Sequence, residues 1–140
     1  MMLCVKTVTY SILVNGEPKG MITPSRGIRQ GDPLFPFLFL LCTEGLNGLI
    51  NKVAHQGNIK GYSLCRNSPR LTHLLFANDG LLFCRATIEE CRQVLDILDV
   101  YGSCSGQQIN RSKTTIFFSK STTDVTRNQI KLALGVPEII

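Results

Sequence analysis

One carboxylate stands apart by its surroundings. Asp79 lies in the polar break Ala77, Asn78, Asp79, Gly80, between the apolar runs Leu74, Leu75, Phe76 and Leu81, Leu82, Phe83. Asn, Asp and Gly tolerate positive φ, so the break reads as a tight hairpin turn. Apolar arms place such a hairpin in a core and lift its polar tip to one edge. A carboxylate there is held rigidly and still faces solvent or a metal ion. A second group with chemistry in it is Arg26, Gly27, Arg29, Gln30, Gly31, Asp32 and Pro33, directly before a long apolar run. Gly31 permits close backbone approach or positive φ. Asp32 is a good N-cap and Pro33 suits the first helical position. Backbone N–H groups at a helix start, with arginines beside them, make a physically sensible phosphate site.

The elements that must position these residues follow from periodicity. Residues 7–14 alternate and are rich in β-branched side chains, which predicts a strand. Asn15 and Gly16 make a turn, and residues 19–22 return to form a surface hairpin with 10–14. A helix should run over about residues 34–54, with Pro36 tolerated in its first turn and an apolar stripe of Leu38, Leu41, Cys42, Leu46, Leu49, Ile50 and Val53. Gly45 and Gly48 are poor helix formers, so their presence predicts that something packs close to that face, which simple helix–sheet packing would also explain. Residues 57–70 are a polar connector carrying Lys60, Arg66 and Arg70. Thr87 and Glu90 form a capping box for a helix over 87–101, whose face of Ile88, Cys91, Val94, Leu95, Leu98 and Tyr101 should pack under the sheet. Residues 102–106 end that helix, 114–119 read as a third strand, and 123–134 as a short helix made amphipathic by Val125, Ile130, Leu132 and Leu134. The order strand, helix, strand hairpin, helix, strand, helix predicts an α+β layer, antiparallel strands packed against helices.

The bulk composition narrows the class. A chain of 140 residues is one domain or a piece of one, and 44% hydrophobic with 18% charged content is ordinary globular material. A net charge of +5 and a pI of about 9.0 suit a polyanionic partner, and also fit an unremarkable soluble protein. The cysteines Cys4, Cys42, Cys65, Cys84, Cys91 and Cys104 form no C-x-x-C pair, and neither His55 nor His73 stands at ligand spacing from them, so no zinc site is expected. Several lie in apolar runs, which points to a reducing compartment. Residues 1–5 lack the features of a secretory signal, and the apolar run 34–42 is too short to span a bilayer, so no membrane role is expected.

Two stretches also carry a family resemblance. Phe76, Ala77, Asn78, Asp79 resembles the Phe/Tyr-x-Asp-Asp box of reverse transcriptases, in the form used by plant non-LTR (LINE-type) retrotransposons, with Asn78 where the first aspartate of the pair would stand. The run from Arg26 to Pro36 resembles a conserved polymerase block of the same family, close to Arg-Gly-Leu-Arg-Gln-Gly-Asp-Pro-Leu-Ser-Pro. Ile28 and Phe35 depart from it, and the likeness continues through Phe39 to Cys42 and through Glu44, Gly45 and Leu46. Ile109, Asn110 and Lys113 are similar to the block that follows the catalytic hairpin. The resemblance covers about residues 4–136 and implies a single partial palm domain over 1–140, with no second domain.

The resemblance implies RNA-directed DNA polymerisation with an RNA template and a DNA primer as partners, no protein partner, and Mg²⁺ as cofactor. It places Arg26, Gly27, Arg29, Gln30, Gly31, Asp32 and Pro33 along template and nucleotide. It makes Asp79 the metal ligand and Asn78 its degenerate neighbour. Lys113 is either a proton donor to the leaving pyrophosphate or a solvated lysine at a strand start. Two-metal transfer clamps the reacting oxygens between cations about 3.5–4 Å apart, held by carboxylates. In the family one carboxylate comes from an upstream strand, and none of Asp32, Asp79, Asp96, Asp99 and Asp124 stands alone on an apolar strand as that residue would. Asn78 is neutral and bridges cations poorly. The expectation is a fragment inactive by itself, a retroelement remnant of an intracellular, nuclear or organellar setting. The alternatives are a non-catalytic nucleic-acid-binding module, drawing on Arg26, Arg29, Arg66 and Arg70, and a small α+β domain whose Asn-Asp-Gly is merely a turn.

Overall fold

The computed structural model describes residues 7–24, 31–66, 68–77 and 79–139. Among these it has two antiparallel strand pairs and three helices: β1 (Tyr10–Val14), β2 (Glu17–Ile22), α1 (Phe35–His55), β3 (His73–Phe76), β4 (Asp79–Leu82), α2 (Ile88–Ser105) and α3 (Asp124–Leu134). The α+β class is as predicted. The chain separates into two compact units, Met1–Phe39 and Leu40–Ile140.

In the first unit β1 pairs with β2 through Ile12–Lys19, Leu13–Pro18 and Val14–Glu17, with a register shift between Tyr10 and Ile12. Asn15 and Gly16 both have positive φ, 53° and 82°, as the two-residue turn of such a hairpin requires. Ile12, Leu13, Val14, Met21 and Ile22 are all exposed, so this is the expected surface hairpin. Asp32 caps α1: its Oδ1 accepts the Leu34 N–H at 2.8 Å and its carbonyl accepts the Phe35 N–H at 3.0 Å. The Phe35 and Phe39 rings, one turn apart, stack with centroids 6.2 Å apart.

In the second unit, Ile50 of α1 is buried with Ile59 and Ile97, and Leu46, Leu49, Val53, Leu82, Cys84 and Val94 pack around them. The helix stops in a Schellman pattern, Gly57 N–H to the Ala54 carbonyl at 2.9 Å and Asn58 N–H to the Val53 carbonyl at 3.2 Å. That reversal returns Ile59 to the core. The rest of the predicted stripe is less covered. Leu41 is exposed, and a Cβ placed on Gly45 or Gly48 would meet nothing within 4 Å, so no close packing by the described residues occurs there. As a whole α1, at 21 residues and mean hydropathy 1.2, is long and apolar enough to cross a membrane by length and composition, which the shorter run 34–42 was not.

A second cluster joins Cys91 of α2, Phe118 and Ile130 of α3, with Cys84, Ala86, Ile88, Ile116 and Leu134 against it. Cys84 touches both clusters. On α3 only Ile130 is fully buried, while Val125 and Leu132 are exposed, so two of the four predicted apolar positions face outward. The predicted strand 114–119 is reduced to one parallel bridge, Ile116 with Glu138. Its bonds are Ile116 N–H to the Pro137 carbonyl and Ile139 N–H to the Ile116 carbonyl, both 2.9 Å. Pro137 has no N–H to extend a ladder. Glu138 instead anchors the tail, accepting from Arg127 and Lys131 at 3.1 Å each. Helix α2 runs past its predicted end to Ser105, where Gly106 caps it, and the Ser103 and Ser105 hydroxyls bond back to the Val100 and Tyr101 carbonyls.

The capping box is only half formed. The Glu90 N–H donates to Thr87 Oγ1, but the Glu90 carboxylate does not return to Thr87, whose N–H goes to the Arg85 carbonyl. Glu90 is 2% exposed and serves a different purpose. Its Oε2 accepts the N–H of Arg85 at 2.9 Å and of Lys60 at 3.2 Å, and its Oε1 accepts Arg85 Nε at 2.6 Å. Burial acts to raise its pKa, but the Arg85 N–H and guanidinium and the Lys60 N–H outweigh it and hold the carboxyl below its ordinary value. Because the Arg85 side chain is about half exposed, the ion pair itself adds little. Satisfying two backbone N–H groups is the larger effect.

Glu90→Ala is therefore expected to cost about 2–3 kcal/mol in urea unfolding, through those stranded donors, whereas Arg85→Ala should cost about 1 kcal/mol or less. A depressed folded pKa means that the contribution is complete above the ordinary value of 4.5 and is lost as pH falls through the lower folded value. The acid-side fall in unfolding midpoint should be visibly shallower in Glu90→Gln. Gly61 supplies a second test. Its φ is +57°, and a Cβ would stand 2.5 Å from the Leu71 carbonyl oxygen, beside the paired 2.7 Å bonds between Tyr62 and Leu71. Gly61→Ala should cost about 2 kcal/mol or more by the same measurement.

Candidate functional site

The hairpin is in register His73–Leu82, Leu74–Leu81, Leu75–Gly80 and Phe76–Asp79. Only residues 77 and 78 lie between the strands, so the turn is shorter than the predicted four-residue break. Ala77 takes the left-handed conformation, φ 48°. Asp79 and Gly80 belong to β4 rather than to the tip. Directly opposed residues of an antiparallel pair share a face, and successive residues alternate. His73, Leu75, Gly80 and Leu82 therefore form one face, and Leu74, Phe76, Asp79 and Leu81 the other. Leu82 reaches the core through the first face. The second face is open: Leu74, Phe76 and Leu81 are 50%, 82% and 60% exposed. The expectation that both apolar arms lie in the core is corrected to one face only. Asp79 is exposed on the open face, and its side chain has no hydrogen bond or ion pair among the described residues.

The other predicted site residues divide between the two units. Arg26, Gly27, Arg29, Gln30 and Asn78 lie outside the described residues. Gly31, with φ 89°, leads into Asp32 and Pro33 at the start of α1. Asp32 occupies the Leu34 N–H with its own carboxylate, so this helix start already carries an anion. Lys113 sits in a turn, its N–H donating to the Asn110 carbonyl at 3.0 Å. Lys113 is exposed, and no hydrogen bond or ion pair joins it to Asp79 among the described residues. The connector is pinched shut by the Tyr62–Leu71 bridge, and Arg70 donates to the Lys60 carbonyl at 3.2 Å.

One polar network was not foreseen. His73 Nε2 lies 3.0 Å from Asn47 Oδ1 and His73 Nδ1 lies 2.9 Å from Thr72 Oγ1. Asn47 also receives Asn51 Nδ2 at 2.8 Å and donates to Glu44 at 3.2 Å. Burial lowers the His73 pKa, so the ring is neutral near pH 7. This chain ties the base of β3 to α1. Glu44, Asn47 and Asn51, three and four residues apart, were the available sequence signal.

Comparison with known families matches residues 2–135 to the reverse transcriptases (RNA-dependent DNA polymerases). The chain belongs to the reverse transcriptase family. Its hairpin and helices are those of a partial palm domain. It is also 57% identical over 67 residues to an uncharacterized mitochondrial protein of Arabidopsis thaliana, a stretch covering 48% of this chain and 55% of that protein. The chain thus spans about half the length of the curated relative it matches. No solved structure matches. Reverse transcriptases act on a template and primer with divalent metal ions. Here the donor set does not fit such a centre: Asp79 follows a neutral Asn78, and among the described residues no three His, Cys, Asp or Glu side chains come together to hold an ion.

The two faces of the reverse transcriptase hairpin should respond differently to substitution. Leu82→Ala, on the core side, is expected to cost about 2–3 kcal/mol in urea unfolding. Phe76→Ser and Leu81→Thr on the open side, and Asp79→Asn beside them, should each stay within about 0.5 kcal/mol of the parent.

Proposed function

We propose that residues 1–140 are a slice of one palm domain from a plant non-LTR (LINE-type) retrotransposon reverse transcriptase, unable by itself to carry out two-metal nucleotidyl transfer. The observation that carries this reading is Asp79, exposed on the open hairpin face and in no group of three possible metal ligands among the described residues. The Arg26–Pro36 sequence supports the non-LTR assignment, because hairpin chemistry alone does not call for it. A single carboxylate would have to hold two cations against their mutual repulsion, and Asn78 adds no charge. The mitochondrial relative supports an organellar setting.

A second reading, nucleic-acid binding without catalysis, draws on the pinched connector. Arg66 and Arg70 are exposed on it, Lys60 is beside them, and the net charge is +5. Such a site contacts phosphates and carries no base readout.

The purified chain is expected to give no Mg²⁺-dependent primer extension above a protein-free control, and detectable extension would overturn the first reading. The second is tested by fluorescence anisotropy with an RNA–DNA primer–template. Affinity should fall roughly 10- to 100-fold between about 50 and 200 mM salt, and the dependence should flatten in Arg66→Ala and Arg70→Ala. Binding that ignores salt sinks it.

A further inference from the structure

Two of the thiols are brought together by the fold, and neither reading above uses them. Cys84 leaves β4 at the junction of the two core clusters, and Cys91 lies in the first turns of α2. They are separated by six residues in sequence, and Cys84 packs against the buried cluster that contains Cys91. The intervening loop is fixed at both ends. The residue after Cys84 donates its N–H to the residue before Cys91, Arg85 to Glu90 at 2.9 Å, and the Cys91 N–H donates to the Thr87 carbonyl at 3.1 Å. Both sulfurs are free thiols; Cys91 is 3% exposed and Cys84 is partly exposed. The approach to the pair is therefore from the Cys84 side.

We propose that Cys84 and Cys91 form a redox-active dithiol site that closes to an intramolecular disulfide with two-electron oxidants of the small-disulfide or azo class. In the step two S–H bonds break and one S–S bond forms. The two electrons and two protons pass to the oxidant, so that an azo N=N becomes a hydrazine, or one disulfide becomes two thiols. The Cys91 side chain beside it, then burial and the charge of Glu90, push the Cys84 thiol's pKa up, and the Cys84 side chain pulls that of Cys91 down. Closure would tie the exit of the Asp79 hairpin covalently to α2 without displacing Glu90.

The test uses the full chain treated with diamide, then blocked with iodoacetamide and digested with trypsin without reduction. Cleavage after Arg70, Arg85 and Arg92 separates the cysteines, so the expected product is the peptide 71–85 linked to the peptide 86–92, lost on adding dithiothreitol. It should persist in the Cys65→Ser, Cys104→Ser double variant, whose substitutions are at exposed positions and leave the cores intact. Alkylated Cys84 and Cys91 in a sample whose Cys65 or Cys104 has been oxidised would overturn the proposal. So would linkage of Cys84 to any other cysteine. Cys84→Ser should abolish the linked peptide.

Discussion

The buried carboxylate of Glu90 is the constraint on which the larger unit depends. It is placed by the first turn of α2, yet its partners are the chain leaving β4 and the connector leaving α1. Three separate pieces of backbone therefore meet on one side chain. A carboxylate buried to 2% exposure is stable only when its lone pairs are used, and here N–H donors use them at 2.6 to 3.2 Å. The arrangement also fixes Cys84 and Cys91 on either side of it, and through Cys84 it brings the cluster around Ile50 against the one around Ile130. Hydrophobic burial supplies the bulk of the driving force in both clusters. It is non-directional, and the directional bonds of Glu90 decide how the pieces meet.

What was legible in the sequence is what is local. Thr87, Thr123 and Asp32 each cap the helix they were expected to begin, because an oxygen two or three residues from an orphan N–H needs no distant partner. Asn15 and Gly16 turn a hairpin for the same reason. The apolar stripes were read correctly as stripes, but periodicity says which face is apolar and not whether anything covers it. Leu41, Val125 and Leu132 lie on such faces and are exposed, while Ile50 and Ile130, on the same helices, are not. The extended segment at 114–119 failed as a strand on the same ground. Its composition fits a pleated surface, but its one neighbour is the short tail that contains Pro137. Glu90 was foreseen as the second half of a capping box. Tertiary donors outcompeted the local one, and no local pattern could announce them.

At the candidate site the sequence misjudged the seat of Asp79. Asn78, Asp79 and Gly80 are all good turn formers, which favoured a turn spread over them. The hairpin instead closes through Ala77 in the left-handed region, a conformation that costs a non-glycine residue energy and that the strands must supply. The reward lies on the inner face. A Cβ on Gly80 would stand 3.2 Å from Leu75 Cδ2, closer than comfortable packing, so glycine is what lets Leu75 lie flat across the pair. Gly80 thus serves packing rather than turning.

That assignment decides where Asp79 points. A slip of one residue in a two-stranded pair exchanges the faces completely. It would swing Asp79 to the face of Leu75 and move Gly80 to the open one. The register is set by His73, Leu75, Gly80 and Leu82 on the helix side, where His73 is held by Asn47 and Thr72 and Leu82 packs into the core around Ile50. The orientation of the Asp79 hairpin is therefore maintained by core packing and one polar network. The forces that hold Asp79 in place act on the face opposite to it, so the hairpin's geometry does not rest on the Asp79 carboxylate.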